Sequence, residues 1–415
     1  MDTSKHSRPV RFFVNRLRWG IEESRYSCWS VYDAIAARCT LSRSEVRRIL
    51  LVAMNELGLR QFMLLREVFS DDSSVEFAVT DSPRGTANRA LIEKWCRQHG
   101  LDYLPFGRAR WRTWDLMIFA DHDDMARFPV DVPKVRISHG IFGSKLVGGV
   151  PYRYDPKWIE YRRKVFYSRM FEPSEYAVEC ALSHNPKLDS IAVAVGDLSA
   201  DRLLSLRPER DGIRAGFGYF PNDFVILLQS TYGATSLMES IGKALVGKCI
   251  NLAEAKGWKF ILQTHPHHWT GPHAVDHPYG QFLLKQEDKP GITVIHPDED
   301  WAPHMIASDM VITDHTSLSM TYALLSKPTL FVDVPGTQLI EGNPGHRLAQ
   351  ILPKLSSVGN LAEDIKRARD TFPREQVAEI AKDILSYPGE AVERMRSELL
   401  GFLGLEVKDG VEANG

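Results

Sequence analysis

Short apolar runs alternating with amphipathic stretches constrain this chain more than any other feature. "RILLVAM" (48–54), "VEFAVT" (75–80), "WDLMIFA" (114–120), "KVRISHG" (134–140) and "SIAVAVG" (190–196) each read as a strand. Helical stretches such as "ALIEKWCRQHG" (90–100) lie between them. Runs that are mostly apolar, rather than strictly alternating, belong to strands covered on both faces, and their separation by helices predicts parallel pairing. A second series starts near Asp223. It comprises "DFVILLQST" (223–231), a long helix over 236–257, "WKFILQTHP" (258–266), "GITVIHP" (291–297), "DMVITDHTS" (309–317) and "PTLFVDV" (328–334). Gly100 and Gly257 stand where left-handed residues would stop the preceding helices. The expected fold class is α/β, two Rossmann-like domains facing a cleft, with a helical N-terminal extension. A chain of 415 residues fits two domains better than one core. The expected division is an extension over 1–47, a first domain over 48–204, and a second over 205–415 that carries the C-terminal helices.

Composition narrows the function. The formal net charge is −2, so no global field favours nucleic acid. The cysteines (Cys28, Cys39, Cys96, Cys180, Cys249) are scattered, with no CxxC pair, which suggests neither a disulfide framework nor a zinc site. No apolar run reaches membrane-spanning length, and the N-terminus lacks the apolar segment of a signal peptide, so a cytoplasmic protein is expected. Charge is uneven, however. Residues 1–50 hold ten Lys/Arg against five Asp/Glu, about +5, and Val10, Phe13, Val14, Leu17 and Ile21 share one helical face. Residues 1–25 therefore read either as a basic helix lying on an anionic membrane surface or as a helix packed on the next domain with a solvated edge.

In open parallel sheets ligands sit at the carboxyl ends of strands. "SHGIFGSK" (138–145), "QSTYG" (229–233), "THPHHW" (264–269) and "TDHTSLS" (313–319) all follow apolar runs. In the last of these, Thr316 or Ser317 would cap a helix whose free N–H groups attract an anion, with Asp314 as a further cap. No Walker loop is present. His265, His267 and His268 show no recognised metal-ligand spacing, and Pro266 breaks the ladder that would align two of them, so neither metal nor cofactor is expected. His265, held at the strand end, is the candidate acid/base or phosphate-binding group, with a structural histidine as the alternative. His267 and His268 are expected on the loop surface. His139 precedes Gly140, which lets backbone approach a ligand, and Lys145 adds charge nearby. His139 would serve as a general base or, more simply, complete its own turn.

Taken in order, these segments resemble the CDP-glycerol glycerophosphotransferase family, the teichoic-acid and capsule polymerases and primases. "SHGIFGSK", "VGDLSADRL" (195–203), "QSTYGATSL", "THPHHW" and "SDMVITDHTSLSMTYALLSKPTLFVD" match its motifs over about 134–334. Departures are His315 and Thr316, where that family usually has tyrosine and serine, and a "GDLSAD" lacking the family's asparagine and proline. The resemblance implies a GT-B fold. It also implies transfer of a polyol phosphate from a CDP-activated donor to a hydroxyl of a glycan or lipid-linked acceptor; residues 1–25, if they bind lipid, would hold the chain on the inner face of a membrane. On that basis His139 is the base, and His265 contacts the donor phosphate or the leaving group. Ser230, Thr231, Asp314, Thr316, Ser317 and Arg347 serve the donor side, and Gly140 and Lys145 the acceptor side. The rival readings are an enzyme acting on a nucleotide sugar, either a glycosyltransferase or an epimerase, and a non-catalytic membrane-associated scaffold.

If residues 1–25 bind anionic lipid, deleting them abolishes salt-sensitive association with phosphatidylserine-containing vesicles. Equal sedimentation of the truncated and full-length chains with those vesicles would assign the segment to packing instead.

Overall fold

A computed structural model describes residues 46–405 apart from 55, 70–72, 83–88, 123–126, 130, 139, 142–145, 148–149, 162 and 298. The basic segment 1–25, His139 and Lys145 lie outside the described residues. The first sheet has seven strands: β1 (Arg47–Ala53), β2 (Val75–Asp81), β3 (Asp102–Tyr103), β4 (Leu116–Phe119), β5 (Lys134–Arg136), β6 (Arg169–Glu172) and β7 (Ala192–Ala194), in the order β7-β6-β5-β4-β1-β2-β3. The second has five: β8 (Val225–Gln229), β9 (Lys259–Gln263), β10 (Ile292–Val294), β11 (Met310–Thr313) and β12 (Thr329–Phe331), in the order β10-β9-β8-β11-β12. Every pairing in these two sheets is parallel. The strand order reverses between β1 and β4 and again between β8 and β11, the doubly wound arrangement expected from the alternation of runs and helices.

The apolar runs are strands because both of their faces are covered. Leu50 and Val52 pack with Met117 and Phe119 on one side of the first sheet, whereas Ile49, Leu51 and Ala53 pack with Leu116 and Ile118 on the other. In β8, Ile226 and Leu228 face one core and Val225 and Leu227 the other. This is the two-residue period of a strand, with no solvated face left over.

The helices that matter to the site are α1 (Glu56–Glu67), α2 (Leu198–Ser205), α3 (Lys243–Lys256), α4 (Gly271–Asp276), α5 (Ser317–Ala323), α6 (Arg374–Ile384) and α7 (Ala391–Leu403). Gly257 ends α3 with φ +69°, as its position suggested, but the stretch before α3 is a π-turn over Met238–Gly242. The division expected at 204/205 falls at the end of α2. Of the last two helices, grouped by sequence position with the second unit, α7 packs on the first sheet through Met395, Leu399 and Leu403. α6 lies at the seam, its Val377, Ile380 and Ile384 in a core shared by both units, against α5, the helix Pro344–Ile351 and the helix Glu175–His184. Asp201 fixes the start of α7 by accepting from Gly389 N (2.7 Å) and Ala391 N (2.9 Å). Met320 and Ala323 of α5 share a core with Phe119 and Met170, so an apolar seam joins the units. Among the described residues no helix is long and apolar enough to cross a membrane.

One strand that the sequence reading missed carries a buried charge. Glu172 at the end of β6 is wholly buried, with Arg136 at 3.4 Å, Arg153 at 3.4 Å and the Tyr154 hydroxyl donating at 3.2 Å. Beside it His122 is buried against Arg136 and the Arg153 carbonyl (3.0 Å), and burial, then Arg136, pushes its pKa down to about 3. Replacing Glu172 with Gln removes the carboxylate that pairs with both guanidinium groups. The expected loss is about 3–5 kcal/mol of unfolding free energy, read from the urea midpoint. A change below about 1 kcal/mol would mean the arginines are hydrated rather than paired.

Candidate functional site

The reversal of strand order between β8 and β11 brings two strand ends side by side, with Gln229 opposite Thr313. The chain then leaves both strands at the same edge, and Asp314 ties the two departures together. Its Oδ2 accepts from Ser230 Oγ (2.8 Å) and Leu237 N (2.8 Å), and its Oδ1 from Thr231 N (3.1 Å) and Thr316 N (3.1 Å). Ser230 Oγ in turn accepts from Met238 N (2.9 Å). Asp314 is wholly buried, and Ser230 and Thr231 nearly so. These three residues, expected on the donor side, do meet. Asp314 orders the others, because its oxygens are occupied by donors rather than turned toward a ligand. Gln229, also buried, has no hydrogen-bond partner for either amide atom among the described residues.

Thr316 is the N-cap of α5, its hydroxyl accepting from Leu318 N (3.4 Å), and Ser317 is the first helical residue. The helix start faces the other unit. A methyl group placed on Gly140 would lie 3.7 Å from Ser317 Oγ. Gly140, after β5, and the start of α5 therefore come near enough across the cleft that such a methyl would make ordinary van der Waals contact. A second crossing is made by Arg60 of α1, which donates to the Pro297 carbonyl.

His265 caps the short turn Pro266–His268, its Nδ1 accepting from His267 N (3.1 Å). An accepting Nδ1 places the proton of the neutral ring on Nε2, an assignment that follows from the hydrogen bond. The ring lies 4.4 Å from that of Tyr232 and is partly exposed. His268 corrects an expectation: it is not on the loop surface but wholly buried. Its Nδ1 bonds Thr264 Oγ1 and its Nε2 reaches Glu239 Oε1 at 2.9 Å. A carboxylate can only accept, so Nε2 donates and Nδ1 accepts from the threonine. Burial pushes the His268 pKa down, against the pull of Glu239. His267 is half-buried, edge-on to Tyr232 at 4.6 Å.

Glu239, in the π-turn, was not anticipated. It accepts from Gly233 N (2.6 Å), His268 and His273 Nε2 (2.8 Å), with His277 Nδ1 at 3.5 Å. Burial alone would raise its pKa, but the hydrogen bonds from His268 and His273 outweigh that and hold the carboxyl below its usual range. The i,i+4 pair His273 and His277 in "HAVDH" was a signal in the sequence that the reading passed over. Arg347 is engaged elsewhere, paired with Asp383 and lying 5.8 Å over the Tyr176 ring, so its charge is already matched. Two other motif residues are structural. Asp197 caps α2 through Ala200 N (2.8 Å), and burial pushes its pKa up to about 6. Lys327 donates to the carbonyls of Met305, Ile306 and Ser308 at 2.7–3.0 Å, closing the helix Ala302–Ala307.

No protein-family model and no curated protein matches this sequence. Solved structures do. The wall teichoic acid polymerase TagF, soaked with CDPG, is 12% identical with a TM-score of 0.59, over 97% of this chain and 99% of that one. The S. aureus MnaA–UDP structure is 14% identical with a TM-score of 0.55, over 89% and 100%. A UDP-GlcNAc 2-epimerase from Neisseria meningitidis bound to UDP-GlcNAc is 15% identical with a TM-score of 0.52, over 85% and 100%. The fold is GT-B. At these identities the likeness speaks for architecture alone.

Replacing Asp314 with Asn turns one acceptor oxygen into a donor facing Ser230 Oγ and backbone N–H groups. The expected cost is about 3 kcal/mol in the urea midpoint. An unchanged midpoint would show that this carboxylate does not organise the strand ends.

Proposed function

We propose that the chain transfers a polyol phosphate from a CDP-activated donor to a hydroxyl of a glycan or lipid-linked acceptor, releasing CMP. The observation that carries this reading is the approach of Gly140 to the capped start of α5. It supports an acceptor-side strand end lying near an anion-binding helix start on the donor side. The acceptor oxygen attacks the β-phosphorus, forming a new P–O bond as the P–O bond to CMP breaks. The acceptor proton goes to His139, in the segment that Gly140 continues. The Nε2–H of His265 donates to the departing or bridging phosphate oxygen, and the amide and hydroxyl of Ser317 at the helix start that Thr316 caps hold the charge that moves onto phosphate. Ser230, Thr231 and Asp314 keep that edge in shape. Lys145 adds positive charge on the acceptor side, and residues 1–25 would bring the enzyme to an anionic inner membrane surface where a lipid-linked acceptor lies. That TagF was soaked with CDPG supports a CDP-linked donor.

The second reading is an enzyme acting on a UDP-sugar, favoured by the similar likeness to structures holding UDP and UDP-GlcNAc. The two part in one experiment: incubation with a panel of CDP- and UDP-activated donors and acceptors, followed by assay of released CMP or UDP. CMP release is expected, and replacing His265 with Ala should slow it roughly 10²–10⁴-fold at unchanged melting temperature. UDP release or sugar epimerisation without CMP would replace the first reading by the second. No turnover, and no thermal stabilisation by CDP or CMP, would leave a scaffold.

A further inference from the structure

We propose that Glu239, His273 and His277 form a site for one divalent transition-metal ion of the zinc type. Their ligand atoms, one carboxylate oxygen and two ring nitrogens, all lie within 4.8 Å of one another. His273 is on α4 and His277 is its C-terminal cap residue, four positions apart and so on one side of the turn. Their rings stack at 4.5 Å with 23° between planes. Glu239 comes from a different element, the π-turn before α3. Its Oε1 accepts from Gly233 N, His268 and His273, while Oε2 faces His277.

Without a cation, His273 spends its N–H on the carboxylate and His277 stands 3.5 Å from Oε2. A cation between the carboxylate, His273 Nε2 and His277 Nδ1 replaces the His273 proton and leaves the bonds of Gly233 and His268 to Oε1 in place. A carboxylate held by a second histidine, itself held by Thr264, is the outer support that metal-binding carboxylates require. Two imidazoles and one carboxylate suit zinc, with a coordination position left for water, and do not suit the hard, oxygen-seeking magnesium or calcium. Entry is open, since His273 is 29% and His277 41% exposed, whereas Glu239 is 6% exposed. His277 has the freedom to close the last ångström onto an ion whose ligands stand about 2 Å away.

The ion would clamp three segments: the loop after β8 through Glu239, the loop after β9 through His268, and α4. Tyr232 lies over this junction, its ring 5.6 Å from His273 and 4.4 Å from His265. The clamp would therefore fix the loop that carries His265 without touching the reacting groups. The inference stands apart from the proposed reaction, because its test reads binding.

The test uses the untagged full-length chain, stripped with EDTA and desalted, then titrated with ZnCl2 by calorimetry and with cobalt(II) by visible absorption. One saturable ion per chain, with the d–d bands of a low-symmetry four- or five-coordinate cobalt, is expected. His273→Ala and His277→Ala, at partly exposed positions, should each weaken binding at least about 100-fold, and Glu239→Gln should abolish the cobalt bands. Zinc should raise the melting temperature of the parent and not that of the double variant H273A/H277A. His267→Ala should bind like the parent. Absence of saturation would overturn the proposal. So would equal zinc binding by the double variant, or a loss in His267→Ala matching that in His273→Ala, which would move the ion to the 265–268 run.

Discussion

A buried carboxylate at the reversal of the second sheet is the constraint on which the candidate site depends. Parallel sheets open a crevice where neighbouring strands send their connections in opposite directions. That crevice is only as well defined as the loops leaving it. Asp314 defines them by drawing Ser230, Thr231, Leu237 and Thr316 onto one pair of oxygens. Charge-assisted hydrogen bonds are stronger than neutral ones, and inside the protein they are little screened. The start of α5, the turn after β8 and the start of the π-turn are therefore one rigid piece. Ser317 projects from it toward Gly140, so the geometry of the cleft is inherited from a residue that does not face the cleft.

The architecture was largely readable, and the reason is visible in residues such as Ile49 to Ala53. A strand covered on both faces writes its burial as an uninterrupted apolar run, and a following Gly such as Gly257 writes the end of a helix. β6 was missed because "RMFE" is short and ends in a charge. Only the buried Arg136 and Arg153 make Glu172 tolerable there, and their pairing is a property of three dimensions. The same limit applies at the site. Thr316 could be assigned as a cap from position in a strand–helix turn, since its partner Leu318 is local in sequence, and Asp314 as a cap or orienter from the same turn, though Ser230, Thr231 and Leu237, which it also orders, lie far back in the chain. His268 could not be distinguished from His265 and His267, because its fate is decided by Glu239, which lies on another element. The place of α6 and α7 was likewise hidden, since an amphipathic helix announces that it has an apolar face and not which sheet will cover it.

The histidines after β9 illustrate how one short turn separates roles among like residues. Pro266 ends the ladder and starts the turn, and the chain direction then changes at each step. His265 remains at the sheet edge with an accepting Nδ1, His267 turns to the Tyr232 ring, and His268 goes inward to Thr264 and Glu239. Burial and partner, not residue type, set which of them titrates, donates or supports.

The return of α7 to the first sheet means that the backbone passes between the two units twice, once through α2 and again between α6 and α7. A single tether lets two bodies swivel freely, whereas two tethers leave rotation about the line joining them as the soft motion. Opening and closing of this cleft is thereby reduced to the swing of a door on two hinges. The edge where Gly140 meets Ser317 opens in that swing, and the seam lined by Met320 and Ala323, one turn further along α5, serves as the jamb.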